Sequence, residues 1–320
     1  QMCIRDSNSP IIKALIAAAK RGKQVAVLVE ITARFDEEPN IAWGEELEKA
    51  GAHVVYGMER LKTHVKLALV IREEEEKLCR YVHVSTGNYH TGTAKLYEDL
   101  GILSCESELG ASVANVFNEL TGATPSLEYG PLLVAPHNLR ESFIELIQRE
   151  KAHCLAGNLS GIWAKMNQLQ DPQIIRELYL ASQAGVPITL CVRGLCCLRA
   201  GVANLSSTIR VFSILGRFLE HSRIYRFENG GKREYFIGSA DWMLRNLDRR
   251  METIMRVRDA NIQKELDDII MIYEKDNCFS WVMKKDNSYL RRRPKDDQAS
   301  FSAQEEFIKI AGCLKPSNIN

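Results

Sequence analysis

The sequence predicts an α/β protein of two similar domains in tandem, facing each other across a cleft. Three observations lead there. The chain has 320 residues, and a single core seldom keeps growing past roughly 250. A helix-then-strand unit recurs at a constant offset of 163 residues. Each copy then runs on into an apolar strand that ends in small polar residues.

The first copy reads PIIKALIAAAKRGKQVAVLVE, from Pro10 to Glu30, and the second QIIRELYLASQAGVPITLCVR, from Gln173 to Arg193. Ile11 and Ile12 match Ile174 and Ile175, Leu15 matches Leu178, Gly22 matches Gly185, and Val29 matches Val192. Apolar residues at helical spacing give each helix one buried face. A glycine stops it, and a short Val/Ile-rich run follows as a buried strand. The first copy continues with a helix around Ile41 to Ala50, a strand at His53 to Tyr56, and LKTHVKLALVI from Leu61 to Ile71. The second continues with a strand at Thr208 to Ile214 and FLEHSRIYRF from Phe218 to Phe227. YVHVSTGN (Tyr81 to Asn88) and YFIGSADW (Tyr235 to Trp242) complete the match. Prolines and glycines interrupt the pattern between 125 and 160, and a helix from Leu139 to His153 bridges the copies. The expected domains are 1–135 and 136–320.

Composition narrows the function. Lys plus Arg is 42 and Asp plus Glu is 41, for a net charge of +1. That balance argues against a broadly basic nucleic-acid coat but leaves room for a local anion groove. Hydrophobic residues at 45% and charged residues at 26% exclude a disordered chain. No apolar run reaches the roughly 18 residues of a membrane span, and the first residues do not read as a signal peptide. The nine cysteines show no zinc-ligand spacing and read as free thiols in a reducing compartment. No GxxxxGK or GxGxxG phosphate cradle is present.

The chemistry sits in the repeat. Thr63-His64-Val65-Lys66 is followed by Ser85-Thr86-Gly87-Asn88, and His221 and Arg223 are followed by Gly238-Ser239-Ala240-Asp241. On a strand His64 and Lys66 share a face while Val65 and Leu67 point to the core. Small residues let a phosphate approach, and Asn88 can orient an imidazole or an oxyanion. A neutral histidine beside a fixed cation suits phosphoryl transfer. Further cations gather at strand ends, where open α/β sheets place function. They are Arg34, Lys62, Lys165 (with Asn167), Arg193, Arg199, Arg217, Arg245, Arg249 and Arg250. Such a cleft would be strongly positive and fit a long polyanion. Glu73 to Glu76 reads as a solvated hairpin turn, His83 as structural, and Arg291 to Arg293 as a basic surface turn. His53, His90, His137 and His153 show no partner.

The paired histidines resemble the phospholipase D superfamily arrangement, and the detailed wording resembles the ATP-dependent bacterial polyphosphate kinases built on it. The resemblance rests on ARFDEEPN (Ala33 to Asn40), LKTHVK (Leu61 to Lys66), STGNYHTGTAKLYEDL (Ser85 to Leu100), LLVAPHNLR (Leu132 to Arg140), CVRGLCCLR (Cys191 to Arg199), GRFLEHSRIYRFENG (Gly216 to Gly230), GSADWMLRNLDRR (Gly238 to Arg250) and SAQEEF. It implies two phospholipase D-like domains, without the family's two N-terminal domains. It implies ATP/ADP and Mg²⁺ as cofactors and inorganic polyphosphate as the partner. It also implies a homo-oligomeric full-length protein in the cytoplasm, with membrane contact at most peripheral to the inner face and no nucleic acid. By motif, His64 is the residue phosphorylated and His221 the second essential histidine, while Tyr97 and Arg193 contact nucleotide. Lys66, Arg223 and Asn88 join them around the phosphates. Arg34 matches a magnesium- and phosphate-associated arginine. A second one falls near Arg5, where the flanking QMCIRDS departs from the family pattern.

Two other readings stay open. A phosphodiesterase or phosphatidyl transferase of the superfamily would use the same histidines. The absence of a K-x4-D pattern argues against it, with Asp99 too far along to substitute. A polyphosphate-binding fragment that does not turn over, or half of a split enzyme, is the other.

Overall fold

A computed structural model describes residues 9–30, 37–58, 61–122 and 128–313. Arg5 and Arg34 lie outside the described residues.

The first half begins with α1 (Pro10–Lys20), β1 (Ala26–Val29), α2 (Glu37–Lys49) and β2 (His53–Tyr56). Proline opens α1 without loss of a backbone bond, and Gly22, at φ 78°, turns the chain out of it. β1 and β2 pair in parallel. Next come β3 (Lys62–Thr63), β4 (Leu67–Glu74) and β5 (Lys77–Ser85). Glu75 and Glu76 form the left-handed β4–β5 turn, as the acidic run suggested. α3 (Thr91–Ala94), β6 (Tyr97–Glu98), β7 (Gly101–Ser104) and α4 (Ser107–Leu120) follow.

The second half holds β8 (Leu132–Ala135), α5 (Leu139–Leu155), β9 (Ile162–Met166), α6 (Pro172–Gln183), β10 (Ile188–Val192) and β11 (Ile209–Ile214). Then come β12 (Leu219–Glu220), β13 (Ile224–Phe227), β14 (Glu234–Gly238), α7 (Leu244–Arg249) and β15 (Arg250–Val257). It closes with α8 (Ala260–Lys275), β16 (Ser280–Met283), β17 (Tyr289–Arg291) and α9 (Ala303–Cys313). Among the described residues β17-β16-β11-β10-β9-β13-β14-β15-β3 run side by side, with β8 also on β15.

The repeat is visible in three dimensions: α1 and β1 correspond to α6 and β10. In the second half, β9 joins β10 in parallel and β13 antiparallel. Among the described residues of the first, β1-β2 and β4-β5-β7 form two separate sheets.

Three expectations need correction. β8 lies in the stretch read as an interrupted join; its Leu132, Val134 and Ala135 are buried, which favours a paired strand over a loop. α2 begins earlier than Ile41 and α5 runs on to Leu155. The histidine motifs are not inside ladders. Residues 64–66 and 221–223 lie in the gaps between β3 and β4 and between β12 and β13.

Two clusters of apolar residues hold this together, with a smaller third around Ile12 and Leu47. Phe143 of α5 centres one, with ring centroids 4.7 Å from Tyr225 and 5.3 Å from Trp242. The other crosses the halves, packing Val65, Leu67, Val84 and Val113 with Phe212, Ile224, Ile237 and Met251. Each such side chain contributes about 1.5–3 kcal/mol, so the halves are welded by apolar contact as well as by polar contacts at the site. No described helix is long and apolar enough to cross a membrane. Cys79, Cys105, Cys154, Cys191, Cys196, Cys197 and Cys278 are free thiols.

Candidate active site

The two motifs meet where the halves meet. β3 pairs in parallel with β15, setting Lys62 opposite Arg250 and Thr63 opposite Met251. β12 pairs in parallel with β6, setting Leu219 opposite Tyr97 and Glu220 opposite Glu98. The next residue on each strand is then a histidine or an acid. His64 N–H donates to Met251 O at 2.9 Å, and His221 N–H to Glu98 O at 3.1 Å. Two short joints, related by the repeat, place each histidine beside a carboxyl from the opposite half.

His64 Nδ1 lies 2.9 Å from Glu252 Oε2. His221 Nδ1 lies 2.8 and 3.0 Å from the two Asp99 oxygens. Glu252 is fully buried. Burial raises its pKa above the usual carboxyl value, with Lys66 and Arg250 opposing. A carboxylate there fixes the histidine tautomer with the proton on Nδ1, leaving Nε2 free. Burial first, and then Lys66, Arg250, Arg223 and His221, hold His64 well below the ordinary histidine value. Burial and Arg223 lower His221 too, against the pull of Asp99. Both shifts favour the neutral imidazole over the cation.

Three of the expected cations, Lys66, Arg223 and Arg193, gather near the histidines, each tied to a partner. The Lys66 ammonium donates to the His64 carbonyl. Arg223 Nη1 reaches His221 O at 2.7 Å, His221 Nε2 at 3.3 Å and Thr86 O at 3.3 Å. Its Nε lies 3.1 Å from Asp241 Oδ1. Arg193 forks onto Asn167 Oδ1 at 2.9 and 2.7 Å. The Tyr97 ring sits 5.0 Å from that of His221. Asn88 occupies the repeat position of Asp241, and its Oδ1 is buried with no hydrogen-bond partner.

Lys165 is not a cleft cation. It is buried, bonded to Glu98 and Ser222 and paired with Glu220, because an ammonium removed from water needs anionic partners. Arg199, Arg217, Arg245 and Arg249 are exposed, and Arg199 bonds the Lys285 carbonyl instead. Arg291 and Arg292 bond the Cys278 and Glu274 carbonyls, fastening β17 beside the end of α8. His83 bonds Tyr89 and His137 bonds Glu119, both structurally, while His90 accepts from Thr93 N at the start of α3.

Sequence reasoning missed Glu252 and passed over Asp99. Asp99 does not need to follow the lysine closely; the fold carries it to the other histidine. The missing K-x4-D spacing is therefore no argument against the phosphodiesterase reading. A signal was present. Asp99 sits just before β7 and Glu252 near the start of β15, thirty-five residues after His64 and thirty-one after His221.

With this geometry in hand, comparison with known proteins decides the family. A model described as polyphosphate kinase C-terminal domain 1 matches residues 4–126, and one described as C-terminal domain 2 matches residues 132–304. The chain belongs to the polyphosphate kinase family. The polyphosphate kinase of Synechocystis sp. is 55% identical over 304 residues, which cover 95% of this chain and 42% of that protein. That of Thermosynechococcus vestitus is 54% identical over 292 residues, covering 91% and 40%. The crystal structure of polyphosphate kinase from Porphyromonas gingivalis superposes with a TM-score of 0.90 at 37% identity, covering 98% of this chain and 48% of that one. The chain thus spans about four-tenths of the length of the curated polyphosphate kinases it matches. The tandem α/β arrangement expected from the sequence is consistent with the two polyphosphate kinase C-terminal domains that the family models match.

Proposed function

We propose that the chain carries the catalytic chemistry of an ATP:polyphosphate phosphotransferase, with His64 as the nucleophile. The observation that carries this reading is His64 itself: a half-buried imidazole held at Nδ1 by Glu252, which desolvation and the nearby Lys66, Arg250 and Arg223 keep well below the ordinary histidine value. The Nε2 lone pair attacks the γ-phosphorus of ATP, the bond to the bridging oxygen breaks, and ADP leaves with that electron pair. A terminal oxygen of polyphosphate then attacks the phosphorus and the P–N bond breaks, returning its electron pair to His64. The reverse sequence makes ATP. Lys66 and Arg223 offset charge on the transferred group, and His221, held by Asp99, assists transfer. Tyr97 and Arg193 contact the nucleotide, and Asn88 offers its amide to a phosphoryl oxygen.

The described residues do not fit a protein-held magnesium ion. They contain no cluster of three metal-ligating side chains. Asp99, Glu252 and Asp241 are already bonded to His221, His64 and Arg223. Mg²⁺ belongs to this reading as part of the nucleotide substrate, on its phosphates. The reading also includes two tandem domains, expected as 1–135 and 136–320; the family models part between 126 and 132, which would put β8 with the second. It includes a homo-oligomeric longer protein, and a cytoplasmic setting with membrane contact at most peripheral, supported by the free thiols.

The test incubates purified chain with γ-labelled ATP, Mg²⁺ and short polyphosphate. Acid-labile label on His64 and lengthened polyphosphate are expected. Loading of His64→Ala equal to wild type would overturn the nucleophile; polyphosphate binding with no phosphohistidine would point to a binding fragment.

A further inference from the structure

The two histidine–acid pairs are related by the repeat, but their joints differ. At the His64 joint, uncharged Thr63 faces uncharged Met251. At the His221 joint, Glu220 faces Glu98, two carboxyls side by side on the boundary between the halves. Glu220 precedes His221 and Glu98 precedes Asp99. Like charges directly opposite on paired strands repel, so this joint needs a countercharge.

Lys165 of β9 supplies it. Its Nζ lies 2.9 Å from Glu98 Oε2, 3.0 Å from Glu220 Oε2 and 2.7 Å from Ser222 Oγ. It also sits 4.9 Å above the Tyr273 ring, with a side chain only 2% exposed. The Ser222 hydroxyl donates to Glu98 Oε2 at 2.7 Å. Helix α9 braces a third side. Gln304 Nε2 donates to Glu220 Oε1 at 2.7 Å and to Phe218 O at 2.9 Å, while its Oε1 accepts from Phe218 N at 2.9 Å. A Cβ on Gly216 would fall 2.4 Å from Gln304 Oε1, so the brace needs glycine there.

We propose that Lys165 is a positioning residue which, with Glu98, Glu220 and Gln304, ties the joint that holds Asp99 against His221. None of the four takes part in the transfer steps above. Removing the ammonium leaves the buried Glu220 and the half-buried Glu98 carboxyls facing each other, and that strain is relieved by parting β6 from β12. A misplacement of about 1 Å at a reacting group can cost about 10²-fold in rate. The proposal rests on His221 acting in transfer, but its decisive readout does not need turnover.

Histidine ring resonances of the intact chain are titrated by NMR in wild type, Lys165→Met and the isosteric Glu220→Gln, with turnover measured beside them. Arg223, Asp99, Lys66 and Tyr97 surround the His221 ring. A loosened joint admits water, so His221 titrates closer to the ordinary value while His64 keeps its own. Turnover falls about tenfold or more in Lys165→Met and less in Glu220→Gln. If Lys165→Met does not fold, Glu220→Gln carries the test alone. Equal movement of both rings, movement of neither, or unchanged turnover with His221 displaced would overturn the proposal. Wild-type chain that never transfers phosphate would instead overturn the reading of the site.

Discussion

At the scale of single residues, the site is a pair of imidazoles whose behaviour is set by burial and by one carboxyl each. Phosphorylation at Nε2 leaves the His64 ring cationic, and the buried Glu252 carboxylate stabilises that charge. Glu252→Gln keeps the shape and loses the charge, so His64 loading should slow by about 10²-fold or more, measured in a single-turnover quench. The product should be phosphorylated at Nε2, because Nδ1 faces Glu252; NMR of the phosphorylated chain checks this. The sign of the pH effect follows from the lowered His64 value. A depressed histidine stays neutral to more acid pH, so loading should persist as pH falls through 6.5, the ordinary value, and fail only well below it. An acid limb centred at or above 6.5 would contradict the burial argument. Glu252 was missed because it lies 188 positions from His64, and Asp99 lies 122 from His221. Lys165 was misread for the same reason: a cation at a strand end looks alike whether it faces a cleft or a distant glutamate.

At the scale of elements, the repeat was legible because burial writes itself as periodicity. α1 with β1 and α6 with β10 could be read from apolar spacing and a stopping glycine. The two-residue strands β3, β6 and β12 could not, since so short a segment carries no period and pairs only with a distant partner. Those short strands do the positioning. Gly238, at the end of β14, shows how little room there is beside the strand that carries Glu252: a Cβ there would fall 2.1 Å from Thr253 O on β15. Gly238→Ala should cost about 1–3 kcal/mol in stability by denaturant titration. It should slow loading beyond any loss of folded protein, because Glu252 adjoins Thr253. Phe143→Ala, far from the site but central to α5 packing, should cost about 3–5 kcal/mol and leave the loading rate per folded molecule nearly unchanged.

At the scale of the whole molecule, a net charge of +1 coexists with a site rich in fixed cations. Binding of a long polyanion should therefore weaken with added salt, as surface charges beyond the immediate contacts are screened at about 10 Å in 0.1 M salt. Measured side by side, KM for long polyphosphate should rise more steeply with salt than KM for ATP, because the longer polyanion would span more of the cations. Equal slopes would mean that the longer substrate touches only the reacting end. The crossed pairing of histidines and acids also bears on inheritance. Neither half is a self-sufficient cassette, since each lends its acid to the other's imidazole. A hybrid taking residues 1–131 from a distant cousin would import a foreign His64 and Asp99 while retaining native Glu252 and His221. Its fate would turn on whether a handful of residues at two strand joints still match, however closely the rest of the two parents agree.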